Sequence, residues 1–212
     1  ELNLLDGKAA TNLALIGKTE GTNFTGSLLV GHATTGTLSS ADRNTGVGIG
    51  ALDALTSGDK NTGIGQGALG GVNSGSTNTA IGRNALLNVT TGGSNTAIGN
   101  DALTTLAGAG TSCTAIGESA LGQSTGNHNL GIGRTAGYNI TSGAGNVIIG
   151  KVNAPSATGD RQLMITGNDG STTTTWISGD ANGQVKLVSG YVAEVALTDA
   201  ATITWNAATQ PV

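Results

Sequence analysis

The 212-residue sequence has few large side chains. Aromatic residues make up 2% of the chain, whereas glycine occurs 37 times. One chain can therefore bury little apolar area per residue, and at ~25 cal/mol per Å² an isolated copy has a weak core. This composition differs from that of an ordinary globular enzyme and predicts that the protein gains stability by oligomerisation.

Basic clusters and long apolar segments are also missing. Charged residues are only 10% of the chain and the formal net charge is -4, which argues against nucleic acid or an anionic membrane as a partner. No apolar run approaches the ~18 residues of a membrane span, and the first residues lack the charged-then-apolar pattern of a signal peptide. We expect no nucleic-acid partner and no membrane partner.

Residues that could carry chemistry are scarce. Cys113 is the single cysteine, so it cannot form an intrachain disulfide, and we expect a free, buried thiol. His32 and His128 lie far apart without a carboxylate pair or thiol at metal-ligand spacing; the alternative is a histidine on a trimer axis that holds an ion. Residues 46–51 resemble a dinucleotide-binding glycine loop, but the same glycines recur in every repeat, which favours a structural role. We therefore predict no catalytic residues, no cofactor and no metal.

What the sequence does contain is one repeated phrase: Asn, Thr, a small residue, Ile or Val, Gly, two variable positions, Ala, Leu. It starts at residues 44, 61, 78 and 95 and, in looser form, at 113, 129 and 146, in steps of 17, 17, 17, 18, 16 and 17 residues. Such a period indicates a solenoid with one repeat per coil. We predict an all-β protein, a parallel β-solenoid or β-roll of ~17-residue coils.

The Thr and Ile positions of the phrase are two residues apart and share one face of a strand. Because Leu130 and Val147 replace Thr in the second column, we place this face inside the coil. Stacked Asn side chains at the start of the phrase are expected to hydrogen-bond between coils. The fourth column is the predicted coil core: Val47, Ile64, Ile81, Ile98, Ile116, Ile132 and Ile149.

The third column points to the opposite face and holds small residues, which permit close approach of another backbone. We interpret this face as a candidate contact between subunits; the alternative is that small residues only fit a tight bend of the coil. The candidate interface comprises Gly46, Gly63, Ala80, Ala97, Ala115 and Gly131.

After the glycine, the apolar spacing changes to three and four, as in Ala51, Leu52 and Leu55. This spacing favours a short helical turn, with a bent strand as the alternative. The predicted organisation has an N-terminal connector at residues 1–26, about eight coils at 27–159, a small β-hairpin module at 160–190, and at 191–212 the start of a further β domain that is truncated.

Three parts of the chain resemble bacteriophage tail fibres. Residues 1–7, Glu-Leu-Asn-Leu-Leu-Asp-Gly, match segments that recur in long tail fibres, and residues 197–205 resemble the start of a β domain near the distal part of such fibres. The repeats resemble tail-fibre or side-fibre shafts with Asn-Thr-Ala-Ile-Gly-x-x-Ala-Leu arrays. A start at a residue other than Met and an end without a cap lead us to expect a fragment of a longer protein.

The resemblance implies a homotrimer of parallel chains in the virion, outside the cell. It also implies other fibre or baseplate proteins as partners, and distal domains that contact host surface glycans. The expected function is structural: a trimeric fibre segment that holds a distal receptor-binding tip for host attachment.

Two other functions stay open. Heads of trimeric autotransporter adhesins carry a related Asn-Ser-Val-Ala-Ile-Gly phrase, but their repeats are nearer 14 residues and a heptad-containing neck follows, which is not seen here. A surface that binds ice or carbohydrate through a threonine ladder is the third reading; the inward placement of that ladder argues against it. An enzyme is the least favoured class.

Overall fold

The computed structural model describes residues 27–30, 39–106 and 109–187. They form one sheet of eleven strands in sequence order, with no helix among them. Strands β1 to β9 run parallel, and β9, β10 and β11 form antiparallel pairs. The predicted parallel β-solenoid of about eight coils is confirmed. The strands are β1 Leu28–Val30, β2 Thr45–Val47, β3 Thr62–Ile64, β4 Thr79–Ile81, β5 Thr96–Ile98, β6 Thr114–Ile116, β7 Leu130–Ile132, β8 Val147–Ile149, β9 Leu163–Asn168, β10 Thr173–Gly179 and β11 Val185–Leu187.

Strands β2 to β8 each end one residue before the glycine of the phrase. Gly82 has φ +131°, and a Cβ there would lie 2.5 Å from the carbonyl oxygen of Gly99 in the next coil. A side chain would be strained by the dihedral and blocked by the neighbouring backbone. The glycine therefore lets the coils stack while the chain turns away from the sheet.

The segment after this glycine forms tight turns, so the predicted helical turn is wrong. The Ala51 N–H donates to the Gly48 carbonyl at 3.2 Å and the Leu55 N–H donates to the Leu52 carbonyl at 3.2 Å. Leu52 has φ +59°, and its own N–H donates to the Ala68 carbonyl of the next coil at 3.1 Å. A helix needs negative φ and bonds within its own segment. The three-and-four spacing arises because this double turn points Ala51, Leu52 and Leu55 into the coil.

The core lies inside the coils and is made from the third column and the turn leucines. Ala80, Ala97 and Ala115 are fully buried beside Leu69, Leu86 and Leu103. A Cβ at Gly63 would lie 2.9 Å from the Ala68 carbonyl oxygen, so this position has room only for small residues. The small size of the third-column residues is therefore explained by the alternative interpretation, that they fit a tight coil.

The predicted placement of the two strand faces is wrong. The predicted core residues point outward: Val47, Ile64, Ile81, Ile98 and Ile116 are exposed, and Ile132 and Ile149 are half-buried. The predicted interface residues Gly46, Gly63, Ala80, Ala97, Ala115 and Gly131 are buried inside the coil and cannot contact another subunit. The physical reason is volume, because the turn leucines already fill the interior of a 17-residue coil.

A ladder of buried asparagines joins the coils at the strand entrance, as predicted. Each Oδ1 accepts the backbone N–H of the equivalent residue one coil on, as from Asn44 to Asn61 at 2.9 Å and from Asn78 to Asn95 at 3.1 Å. The Nδ2 atoms from Asn44 to Asn129 each donate to a glycine carbonyl, as from Asn61 to Gly75 at 2.8 Å. These bonds satisfy polar groups that are shielded from water, so they fix the stacking register.

The distal end continues the sheet. The predicted strands after residue 160 are present as β9, β10 and β11, and β9 pairs in parallel with β8, with Val147 opposite Leu163. The boundary predicted between residues 159 and 160 therefore falls within one hydrogen-bonded sheet. The predicted connector at 1–26 and the whole segment at 191–212, including the two phrases that resemble tail fibres, lie outside the described residues.

Candidate functional site

The outer face of the sheet carries an unbroken column of aliphatic side chains, one from every strand. The registers place each of these residues opposite the next, from Val30 opposite Val47 to Ile177 opposite Leu187. Residues paired across neighbouring strands point to the same face of a sheet. We call this set the aliphatic column: Val30, Val47, Ile64, Ile81, Ile98, Ile116, Ile132, Ile149, Ile165, Ile177 and Leu187.

Exposure of the aliphatic column is uniform over its central part. Val47, Ile64, Ile81 and Ile98 are 38%, 40%, 38% and 36% exposed, and Leu187 at the distal end is 53% exposed. Eleven strands about 4.8 Å apart give a strip about 48 Å long. A continuous exposed apolar strip of this kind is a candidate interaction surface, whereas single exposed apolar residues are not.

A second column runs beside it on the same face and changes character along the molecule. Thr45, Thr62, Thr79, Thr96 and Thr114 are half-buried neighbours in successive strands. We call them the threonine column. Further along, the same register holds Leu130, Val147 and Leu163, so the distal part of the face is aliphatic in both columns.

Charged side chains follow the aliphatic column at the first or second position after the glycine. Arg83 Nη2 lies 3.2 Å from Asp101 Oδ2, and Arg134 Nε lies 3.0 Å from Glu118 Oε2. Both pairs join neighbouring coils and are exposed, so each contributes little stability. They border the apolar strip with polar groups, as at the rim of a protein interface.

Cys113 takes the place of one asparagine in the ladder. Its backbone N–H donates to Asn95 Oδ1 at 2.9 Å, and its Sγ lies 3.3 Å from the Gly126 carbonyl oxygen, where an asparagine amide would donate. Burial raises the pKa of this thiol, an effect that backbone N–H groups of Asn129 and His128 partly oppose. The expected free, buried thiol is confirmed, and a protonated buried thiol is a poor nucleophile.

Metal ligands do not cluster in the described part of the chain. Within residues 27–30, 39–106 and 109–187, no group of three or more His, Cys, Asp or Glu side chains could hold a metal ion. His128 is exposed, whereas His32 lies outside the described residues. In the same ranges the structure contains no helix with the length and apolar character needed to cross a bilayer.

Within the coils the aliphatic column follows the repeat, so the sequence identifies its members from Val47 to Ile149 but not the face on which they lie. One available signal for its direction is the complementary size of third-column neighbours: Leu29 is large where Gly46 is small, and a Cβ at Gly46 would collide with the Leu29 side chain. Such compensation between adjacent coils indicates a shared interior.

Comparisons of the chain with protein-family models, with curated proteins and with solved structures gave no match.

Proposed function

We propose that this chain is a rigid segment of a homotrimeric fibre in which three parallel copies meet along their aliphatic columns. The observation that carries the proposal is the unbroken outward aliphatic face of the solenoid. Fully burying an Ile side chain is worth about 1.5–3 kcal/mol. Covering the two-fifths that stay exposed therefore gives roughly 1 kcal/mol per residue. Repeated along the strip, this gain offsets the cost of association, which is about 4–15 kcal/mol.

The fibre type follows from the resemblance of the repeats and flanks to bacteriophage tail fibres. We propose a tail-fibre or side-fibre shaft on the virion that holds a distal receptor-binding tip for host attachment. Its other partners are then fibre or baseplate proteins and, through distal domains, host glycans. Stacked coils suit this role because each hydrogen-bonds to its neighbours along the sheet, the turns and the asparagine ladder, which makes a stiff rod.

Sedimentation equilibrium of the chain and of Ile81→Lys/Ile98→Lys tests the assembly. We expect a particle of three times 20.6 kDa for the native chain and the single-chain mass for the variant, because lysine ammonium groups are costly to bury in an apolar contact. Far-UV circular dichroism should stay unchanged, since both positions lie outside the coil.

Thr77→Lys/Ser94→Lys is the matched control. Both residues are exposed at a position where Lys60 stands in an earlier coil with the same positive φ. This variant should keep the trimer mass. A trimer in the Ile81→Lys/Ile98→Lys variant would refute the interface, and a monomeric native chain at micromolar concentration would refute the assembly.

A second candidate function is favoured by one observation, the outward direction of the threonine column. Regular Thr and Ile columns in register along the sheet would offer a periodic surface to an ordered ligand such as ice or a crystalline polysaccharide. The sequence argued against this function because the threonines were expected to point into the coil. In the structure they are half-buried and lie on the outer face, so that objection no longer holds. Thermal hysteresis of the native chain that is lost in Thr79→Leu/Thr96→Leu, with the oligomeric mass unchanged, would favour this function over the fibre.

A further inference from the structure

An open cleft of about 390 Å³ lies at the distal end of the solenoid. One wall is the last coil turn, with Ser156, Asp160 and Gln162, and the other is the β10–β11 hairpin, with Ser178, Asp180 and Gln184. Its volume is within the range of sites that bind small molecules, about 300–1,000 Å³.

The cleft is the continuation of the coil interior past the last coil. The registers place Ile148 opposite Met164, Met164 opposite Ser178, and Ser178 opposite Lys186. This is the column that holds the buried alanines in the central coils. The column therefore changes from apolar to polar residues where it begins to line the cleft. Packing of an apolar interior alone would not require polar residues at these positions.

The walls are held in place by the chain itself. Gln162 is 7% exposed; its Nε2 donates to the carbonyls of Ser156 and Gly159 at 2.8 and 2.7 Å, and its Oε1 accepts the Ser156 N–H at 2.7 Å. Across the cleft, Asp180 Oδ1 accepts the N–H groups of Asn182 and Gln184. A site with fixed walls loses little entropy when a ligand binds.

Polar groups on both walls remain for a ligand. Within the described residues, Oδ1 of Asp160 accepts the Ala144 N–H at 2.8 Å, and hydrogen bonds from the chain reach Oδ1 rather than Oδ2 in both Asp160 and Asp180. The Ser178 hydroxyl and the Gln184 amide line the same space. Lys186 also lines it but already has an interaction of its own. Carboxylates only accept hydrogen bonds, whereas hydroxyls and amides both donate and accept them.

We propose that this cleft binds one or two units of a neutral saccharide. Sugar hydroxyls can donate to the carboxylates and accept from the Gln184 amide and the Ser178 hydroxyl at the same time, while Pro155 and Ala181 offer small apolar contacts. Two carboxylates against one lysine disfavour an acidic sugar.

The cleft and the aliphatic column lie on opposite faces of the sheet. Ser178 and Lys186 alternate in their strands with Ile177 and Leu187, which belong to the aliphatic column. A ligand could therefore enter the cleft whether or not copies of the chain pack along the column, so the inference does not rest on the fibre proposal.

Saturation-transfer NMR of the full chain with methyl glucoside, methyl galactoside and N-acetylglucosamine tests the site. We expect at least one of these probes to bind with a dissociation constant of about 1–10 mM. Ser178→Leu, which fills the cleft beside Met164, and Gln184→Ala, which removes an exposed amide, should each weaken binding at least about tenfold.

Matched controls are Thr174→Leu in the same strand and Gln123→Ala on the solenoid, both exposed and away from the cleft; neither should change binding. No transfer to any of the three sugars, binding that survives Ser178→Leu, or tighter binding of N-acetylneuraminic acid than of the neutral sugars would each overturn the proposal.

Discussion

Asn61 Oδ1 accepts the backbone N–H of Asn78 at 3.0 Å, and Asn78 Oδ1 in turn accepts the backbone N–H of Asn95 at 3.1 Å. Each asparagine side chain thus accepts a hydrogen bond from a backbone N–H of the next coil, and the hydrogen bonds between strands provide no other partner for that N–H. Because both ends of the bond are buried, the ladder couples the stability of one coil to that of the next.

We predict that Asn78→Ala destabilises the protein by about 2–4 kcal/mol. The change leaves the Asn95 N–H and the Gly92 carbonyl without their partners, and each buried unsatisfied group costs about 1–3 kcal/mol. Urea unfolding followed by circular dichroism measures the effect. Asn153→Ala, at an exposed position near the end of the repeats, should leave the midpoint unchanged; equal midpoints for the two variants would contradict the role of the ladder.

The sequence was sufficient to predict the coil, its period and the asparagine ladder, because these follow from residues that recur in phase. It was not sufficient to orient the strand. Alternation shows that Thr79 and Ile81 share a face and that Ala80 has the other, but not which face is inside. That choice depends on the volume left by Leu69 and Leu86, whose turn conformation could not be predicted from their spacing.

Ala97→Lys should unfold the solenoid, whereas the adjacent Ile98→Lys should not. Ala97 is fully buried within the coil and Ile98 is 36% exposed. An ammonium inside the coil would be both oversized and desolvated, with a cost of at least about 3 kcal/mol. Far-UV circular dichroism and limited proteolysis distinguish the two variants, and a folded Ala97→Lys protein would contradict the observed direction of the strand.

Cys113→Asn should raise the thermal midpoint, since it completes the asparagine ladder. An amide at this position would donate to the Gly126 carbonyl, which the thiol now contacts at 3.3 Å, and would offer a stronger acceptor to the coil that follows. A gain of about 1 kcal/mol is expected for one net hydrogen bond. Cys113→Ala is the control and should lower the midpoint; a lower midpoint for Cys113→Asn as well would mean that the 18- and 16-residue spacings around this coil do not accommodate the amide.

Cys113 should also make the stability of the native chain depend on pH in alkaline solution. Burial raises the pKa of its thiol above the ordinary 9.0, so the unfolded chain loses this proton at a lower pH than the folded chain. The stabilising contribution is complete below pH 9.0 and decreases as the pH rises through the folded pKa, because the unfolded state then binds fewer protons. Tyrosines and lysines titrate in the same range, so the informative quantity is the difference in free energy of unfolding between the native chain and Cys113→Ala. We expect this difference to be constant from pH 7 to 8.5 and to decrease above pH 9; a constant difference up to pH 10.5 would mean that the thiol ionises as readily in the folded coil as in water.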